Sequence, residues 1–131
     1  VLEIGTGCGY QTAVLAKIAQ KVYSVERIGP LLTRTRLRLI ELQIRNTHLR
    51  HADGLHGFIE AAPFDGIIMT AVTTHVPAAL LEQLEMGGRM VFPKGTRKQN
   101  LCIIERTPQG YTETVLEEVN FVPLLAGVVK K

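Results

Sequence analysis

Acidic residues and a run of glycines carry the chemistry this sequence offers. In "VLEIGTGCGYQTAVLA", Glu3 precedes Gly5, Gly7 and Gly9. Glycines in a strand-to-helix turn let backbone approach a ligand closely and aim helix N–H groups at it. Glu26 closes "VYSVE" roughly 20 residues further on, where an acid accepts hydrogen bonds from a ribose diol. Asp53, in "ADG" (52–54), holds the comparable place after a third strand, where its carboxylate would accept from an adenine amino group.

A dinucleotide fingerprint, G-x-G-x-x-G/A, would need a small residue at position 10. Tyr10 stands there, and the reading is that its ring obstructs close packing over a pyrophosphate. The spacing G-x-G-x-G, with Glu3 just upstream, instead resembles a methyltransferase motif whose ligand has no pyrophosphate, only a small amino-acid end and an adenosine. Cys8 and Cys102 match no metal spacing, nor do His48, His51, His56 and His75, so no metal is expected and the histidines read as surface or capping residues. Arg34, Arg38 and Arg45 read as a solvated helix face rather than a nucleic-acid contact.

These residues need elements to hold them. "VLEI" (1–4) reads as a strand, followed by a helix near Tyr10–Gln20. "KVYSVE" (21–26) is a second strand, and the helix after it begins near Pro30, with Leu32, Leu39 and Leu42 on one face and Arg34, Arg38, Glu41 and Arg45 on the opposite one. "THLRHA" (47–52) and the nearly all-apolar "FDGIIMT" (64–70) are the third and fourth strands, joined by the short helical "GLHGFIEA". "PAALLEQLE" (77–85) reads as a helix closed by Gly87–Gly88, before a fifth strand "RMVFP" (89–93). "LCIIER", the turn at Pro108–Gly110 and "YTETVLEEV" read as a hairpin added at the edge. Alternating strands and helices predict an α/β fold: a doubly wound, mostly parallel sheet with an antiparallel C-terminal hairpin.

The 131 residues suit one domain, and 46% hydrophobic with 21% charged residues is ordinary globular material. No apolar run approaches the roughly 20 residues of a membrane helix. The net charge of +3 does not by itself argue for nucleic acid. Cysteine usage suits a reduced compartment, and a cytoplasmic, monomeric protein is the expectation.

Glu3 with G-x-G-x-G resembles motif I of class I S-adenosylmethionine-dependent methyltransferases. The likeness goes further. "GYQTA", "VYSVER", "ADG", "APFDGIIMTA", "LLEQLEMGGRMVFPKG" and "VNFVPL", in that order, resemble the protein-L-isoaspartate O-methyltransferase family over most of the chain. That resemblance implies repair: methylation of the α-carboxyl of isoaspartyl residues in damaged proteins, whose ester collapses to a succinimide that reopens partly as aspartate. Departures are Cys8 for a usual Ser, "TAVTTHVP" (70–77) with one proline fewer, Lys94 for a small apolar residue and Leu125 for a frequent Thr.

The resemblance assigns Glu3, Gly5, Thr6, Gly7, Glu26, Arg27, Asp53, Gly54, Thr70 and Ala71 to S-adenosylmethionine, and Val122, Pro123 and Leu124 to the peptide. It places the acceptor-site serine in a segment before the first strand, so the chain reads as N-terminally incomplete and no catalytic residue is named. The partners implied are isoaspartyl peptides and proteins. Two other functions compete: a methyltransferase of the same class acting on RNA or a small molecule, and a module that binds without turnover.

Overall fold

The computed structural model describes residues 1–130. Strands β1 (Leu2–Ile4), β2 (Val22–Glu26), β3 (Thr47–His51), β4 (Phe64–Met69), β5 (Leu84–Gly95), β6 (Gln99–Thr107) and β7 (Gly110–Val119) form one sheet. Its order is β3–β2–β1–β4–β5–β6–β7. The first five strands run parallel, and β6 and β7 are antiparallel additions. Helices α1 (Tyr10–Ile18), α2 (Gly29–Glu41) and α3 (Ala78–Glu82) connect them, with 3-10 turns at Gly54–His56 and Ile59–Ala61. The chain steps outward from β1 through β2 to β3, then returns to place β4 on the other flank of β1. That reversal opens a crevice beyond the C-terminal ends of β1 and β4, where doubly wound sheets bind ligands.

Register decides which side chains make the core. Leu2, Ile67, Met90 and Ile104 lie side by side across four strands, and all are buried. Phe92 and Cys102 pair in a neighbouring row with the same outcome. Leu80 of α3 and Phe58 pack onto this face. On the opposite face β1 presents Glu3, which α1 covers through Thr12. β4 lies between β1 and β5, paired on both sides, which accounts for its apolar sequence.

Three expectations need correcting. The helix read over 77–85 ends at Glu82, and the chain enters β5 at once. Leu84 is fully buried opposite Phe64, and the Phe64 amide donates to the Gln83 carbonyl, so tertiary pairing overrides the helical pattern. Gly87 and Gly88 therefore lie inside β5, at a register shift against β4, rather than closing a helix. Leu42 is 64% exposed, whereas Thr35 takes a place in the buried stripe with Leu32 and Leu39. Tyr10 is 77% exposed, so its ring obstructs nothing above the sheet. No helix among the described residues is long and apolar enough to cross a membrane.

Candidate cofactor site

A cavity of about 440 Å³ lies at the crevice, walled by Gly5 and Gly7 from the loop after β1, Glu26 and Arg27 from the end of β2, and Gly54 after β3. Thr70 and Ala71 from the end of β4, and Val122–Leu125 from the C-terminal segment, complete it. Loops at successive ends of parallel strands thus converge, as the spacing of glycines and acids implies.

The glycine loop is held from two directions. The Gly5 amide donates to the Val25 carbonyl at 2.9 Å, and the Gly7 amide donates to Glu26 Oε1 at 2.9 Å. Glu26 Oε2 accepts from the Ile28 amide at 3.0 Å, so one buried carboxylate joins the loop to the turn entering α2. Each oxygen retains a further lone pair for a ligand hydroxyl. Thr70 Oγ1 lies 3.0 Å from the Ile4 carbonyl and 3.1 Å from that of Gly5, fastening β4 to the same loop. Gly5 has φ +99°, and a Cβ there would collide with Thr70 Oγ1. Only glycine meets both conditions.

Glu3 and Thr6 are placed differently from their assignment. Glu3 is fully buried and does not line the cavity. Its Oε1 accepts from Thr12 Oγ1 at 2.5 Å and Ser24 Oγ at 2.7 Å, and its Oε2 from Gln11 Nε2 at 3.1 Å. Because Ser24 gives its proton to Glu3, Thr6 is the donor in the 2.6 Å contact between the two hydroxyls. Glu3 and Thr6 therefore brace the loop from beneath, through α1 and β2. Burial pushes the Glu3 carboxyl above its ordinary range; donation from Thr12, Ser24 and Gln11 only partly opposes this, and the nearby Glu26 charge adds to it.

Asp53 also stands off the cavity. Its Oδ1 accepts from the Leu55 amide at 2.9 Å, and its Oδ2 from the Gly127 amide at 3.0 Å. Burial alone would raise this carboxyl. Donation from Gly127 and Leu55, with the His56 and Arg27 charges, outweighs it and holds the group below the usual carboxylate range. Of Val122–Leu124, the Val122 carbonyl and the Leu124 amide are both engaged by Val72, at 2.7 and 2.8 Å.

Sequence reasoning passed over Gln83, whose buried amide accepts from the Phe58 N–H at 2.9 Å and donates to the His56 carbonyl at 2.8 Å. It steadies the turn that presents Gly54. An amide inside an apolar helix pattern gives no local signal of that role.

The residues present suit a nucleoside-bearing, partly cationic ligand. Apolar side chains such as Ile4, Val25 and Leu31 make a surface for a base, and Glu26 supplies negative charge. Arg27 Nε is a buried donor without a partner among the described residues, beside the same cavity. Among the described residues no group of three or more His, Cys, Asp or Glu side chains is placed to hold a metal ion.

The family Protein-L-isoaspartate(D-aspartate) O-methyltransferase (PCMT) matches residues 1–129. The Protein-L-isoaspartate O-methyltransferase of Nitrosomonas eutropha is 69% identical over 131 residues, covering 100% of this chain and 59% of that relative. A solved structure titled protein-L-isoaspartate O-methyltransferase superposes with a TM-score of 0.90 at 27% identity, over 98% of this chain and 42% of that one. A Plasmodium falciparum structure described as a putative protein-L-isoaspartate O-methyltransferase, in complex with S-adenosyl-L-homocysteine, gives 0.82 at 23% identity, over 95% of this chain and 64% of that one. This last likeness speaks to the fold alone. The chain spans 59% of the length of the curated relative from N. eutropha.

Proposed function

Because the chain belongs to the protein-L-isoaspartate(D-aspartate) O-methyltransferase family, we propose that it forms the cofactor-binding part of a protein repair enzyme. That enzyme transfers a methyl group from S-adenosylmethionine to the α-carboxyl of L-isoaspartyl residues in damaged proteins. One observation carries the reading: the ends of β1, β2 and β4 and the loop after β3 meet at a single cavity, in a chain that matches the family over residues 1–129.

Bound there, S-adenosylmethionine supplies an electrophilic methyl on its sulfonium. The acceptor carboxylate has a pKa near ~4 and is already ionised at neutral pH, so no general base is required of this chain. Its residues align and exclude water, and alignment of this kind supplies roughly 7–11 kcal/mol. Gly5 and Gly7 let backbone reach the amino-acid end, and Glu26 accepts from the ribose hydroxyls. Gly54 lies against the adenine, with Asp53 holding its turn. Arg27 brings its unpartnered Nε–H to the same end. Thr70 and Ala71 lie beneath the sulfonium, and Val122, Pro123 and Leu124 wall the side from which the isoaspartyl peptide approaches.

The test is transfer of label from methyl-labelled S-adenosylmethionine to an isoaspartyl peptide by the full-length protein. A base-labile methyl ester on that peptide, and none on its aspartyl counterpart, is the expected outcome. Cofactor binding with label passing only to RNA or to a small molecule would replace the repair reading.

A further inference from the structure

Helix α2 reaches back to the glycine loop through one buried hydroxyl. Thr35 is fully buried, on the inward stripe of α2 with Leu32 and Leu39. An apolar residue is the default at such a position, because a buried hydroxyl without a partner is costly. A threonine inside a helix often turns its hydroxyl to the carbonyl one turn back. Thr35 Oγ1 instead donates to the carbonyl of Gly7, 28 residues away, at 2.6 Å. Its methyl meets the same loop, since a Cβ added at Gly9 would stand 2.5 Å from Thr35 Cγ2.

Gly7 is thereby held at both of its peptide groups. Its N–H donates to Glu26 Oε1 at 2.9 Å, and its carbonyl accepts from Thr35. Gly7 lines the cavity at φ +57°, in the left-handed region that glycine enters and leaves freely. Nothing lies within 4 Å of where its Cβ would be, so packing does not restrain it there. The hydrogen bonds do. The Gly7–Cys8 peptide is trans and planar, so a carbonyl drawn into α2 sends the Cys8 N–H the opposite way. Thr35 therefore sets both the place of Gly7 and the direction of the next backbone donor. A second tie from α2, Arg38 Nη1 to the Cys8 carbonyl, is exposed and 3.4 Å long, beyond the usual range for a firm bond.

We propose that Thr35 is a positioning residue for the cofactor: its hydroxyl fixes the Gly7 carbonyl and keeps the glycine loop in its binding shape before the ligand arrives. This rests on the reading that the cavity takes S-adenosylmethionine. Thr35 does not line the cavity, so its effect passes through Gly7. Without the hydroxyl the loop samples other shapes, and affinity falls with the fraction of time spent in the competent one. Bound cofactor orders the loop again, so the transfer step itself is unchanged.

Steady-state kinetics of the full-length protein on an isoaspartyl peptide, with Thr35→Val and Thr35→Ser, decide the matter. Thr35→Val keeps the branched shape and removes the donor, whereas Thr35→Ser keeps the donor and removes the methyl. Thr35→Val should raise the KM for S-adenosylmethionine about tenfold, with kcat and the KM for peptide unchanged. Calorimetry with S-adenosylhomocysteine should show a matching loss of about tenfold. Thr35→Ser should stay within about twofold of the original protein on both measures. A role in stability alone would lower kcat through loss of folded enzyme and leave KM in place; that result would overturn the proposal. So would Thr35→Ser as impaired as Thr35→Val, which would put the effect in the methyl against Gly9, or Thr35→Val with unaltered affinity.

Amide exchange in the ligand-free protein gives a separate reading. Thr35→Val should speed exchange at Gly7 while amides of β1 and β4 stay protected. Unchanged exchange at Gly7 would also overturn the proposal. Absence of S-adenosylhomocysteine binding by the unsubstituted protein would instead sink the cofactor reading, leaving exchange at Gly7 to judge whether Thr35 holds the loop.

Discussion

Glu26 Oε1 accepts a hydrogen bond from the Gly7 amide at 2.9 Å, so the acid ending β2 and the glycine loop after β1 form one unit. The acid thereby shapes the loop as well as facing the cavity. Glu26→Ala removes the acceptor proposed for the ribose and frees the Gly7 and Ile28 amides together. Hydrogen bonds to a charged group contribute about 1.5–3 kcal/mol, so cofactor binding should weaken by about 10- to 100-fold. Calorimetry with S-adenosylhomocysteine checks this. An unaltered affinity would remove Glu26 from the site.

Gly5 is constrained by its φ of +99° and by Thr70. Gly5→Ala should destabilise the fold by roughly 1–3 kcal/mol, the cost of holding a residue with a side chain in that region. Thr70→Ala removes the hydroxyl a new Cβ would strike, so adding it to Gly5→Ala should recover part of the loss. Urea unfolding of the two single variants and the double variant measures it. Full recovery would mean that backbone strain contributes nothing.

Glu3 titrates with a raised pKa because burial disfavours its charge. The sign follows from linkage. The folded state holds this proton more tightly than the unfolded chain, so Glu3's contribution is fully present below its unfolded pKa. It is lost as pH rises through the folded value. Glu3→Gln has no such titration, and its Oε1 still accepts from Thr12 and Ser24. The variant should therefore gain on the original chain as pH rises from 4 to 8. Paired unfolding curves at several pH values would show it, and a gap that stays constant would mean Glu3 does not titrate as its burial implies.

How legible was this in the sequence? Local signals carried the parallel half of the sheet, because strand and helix alternate there and each strand ends at a chemically distinctive residue. Glu26 and Gly54 reach the cavity where spacing places them. Glu3 does not, because whether a carboxylate points up at a ligand or down into a helix depends on pleat and on Thr12, not on spacing. Asp53 is a similar case, since its partner Gly127 lies far along the chain. The end of α3 failed for the converse reason. "PAALLEQLE" satisfies a helical pattern over its whole length, and only pairing of Leu84 with Phe64 takes its last residues into β5.

The two cysteines offer a probe of the loop. Cys8 is exposed between Gly7 and Gly9, and its carbonyl accepts from Arg38 Nη1 at 3.4 Å. Cys102 is buried in β6 between Phe92 and Val115, and burial together with the Glu113 charge pushes its thiol up, against a smaller opposing effect of Lys94. Alkylation requires an accessible thiolate, so iodoacetamide should label Cys8 quickly and Cys102 only when the sheet opens. A cofactor seated on Gly5 and Gly7 would lie beside Cys8, so saturating S-adenosylhomocysteine should slow its labelling. Peptide mapping after timed treatment separates the effects. Equal labelling of both cysteines would mean that β6 opens as readily as the loop. Labelling of Cys8 indifferent to ligand would place the cofactor away from the glycines, and the assignment of Gly5 and Gly7 would fall with it.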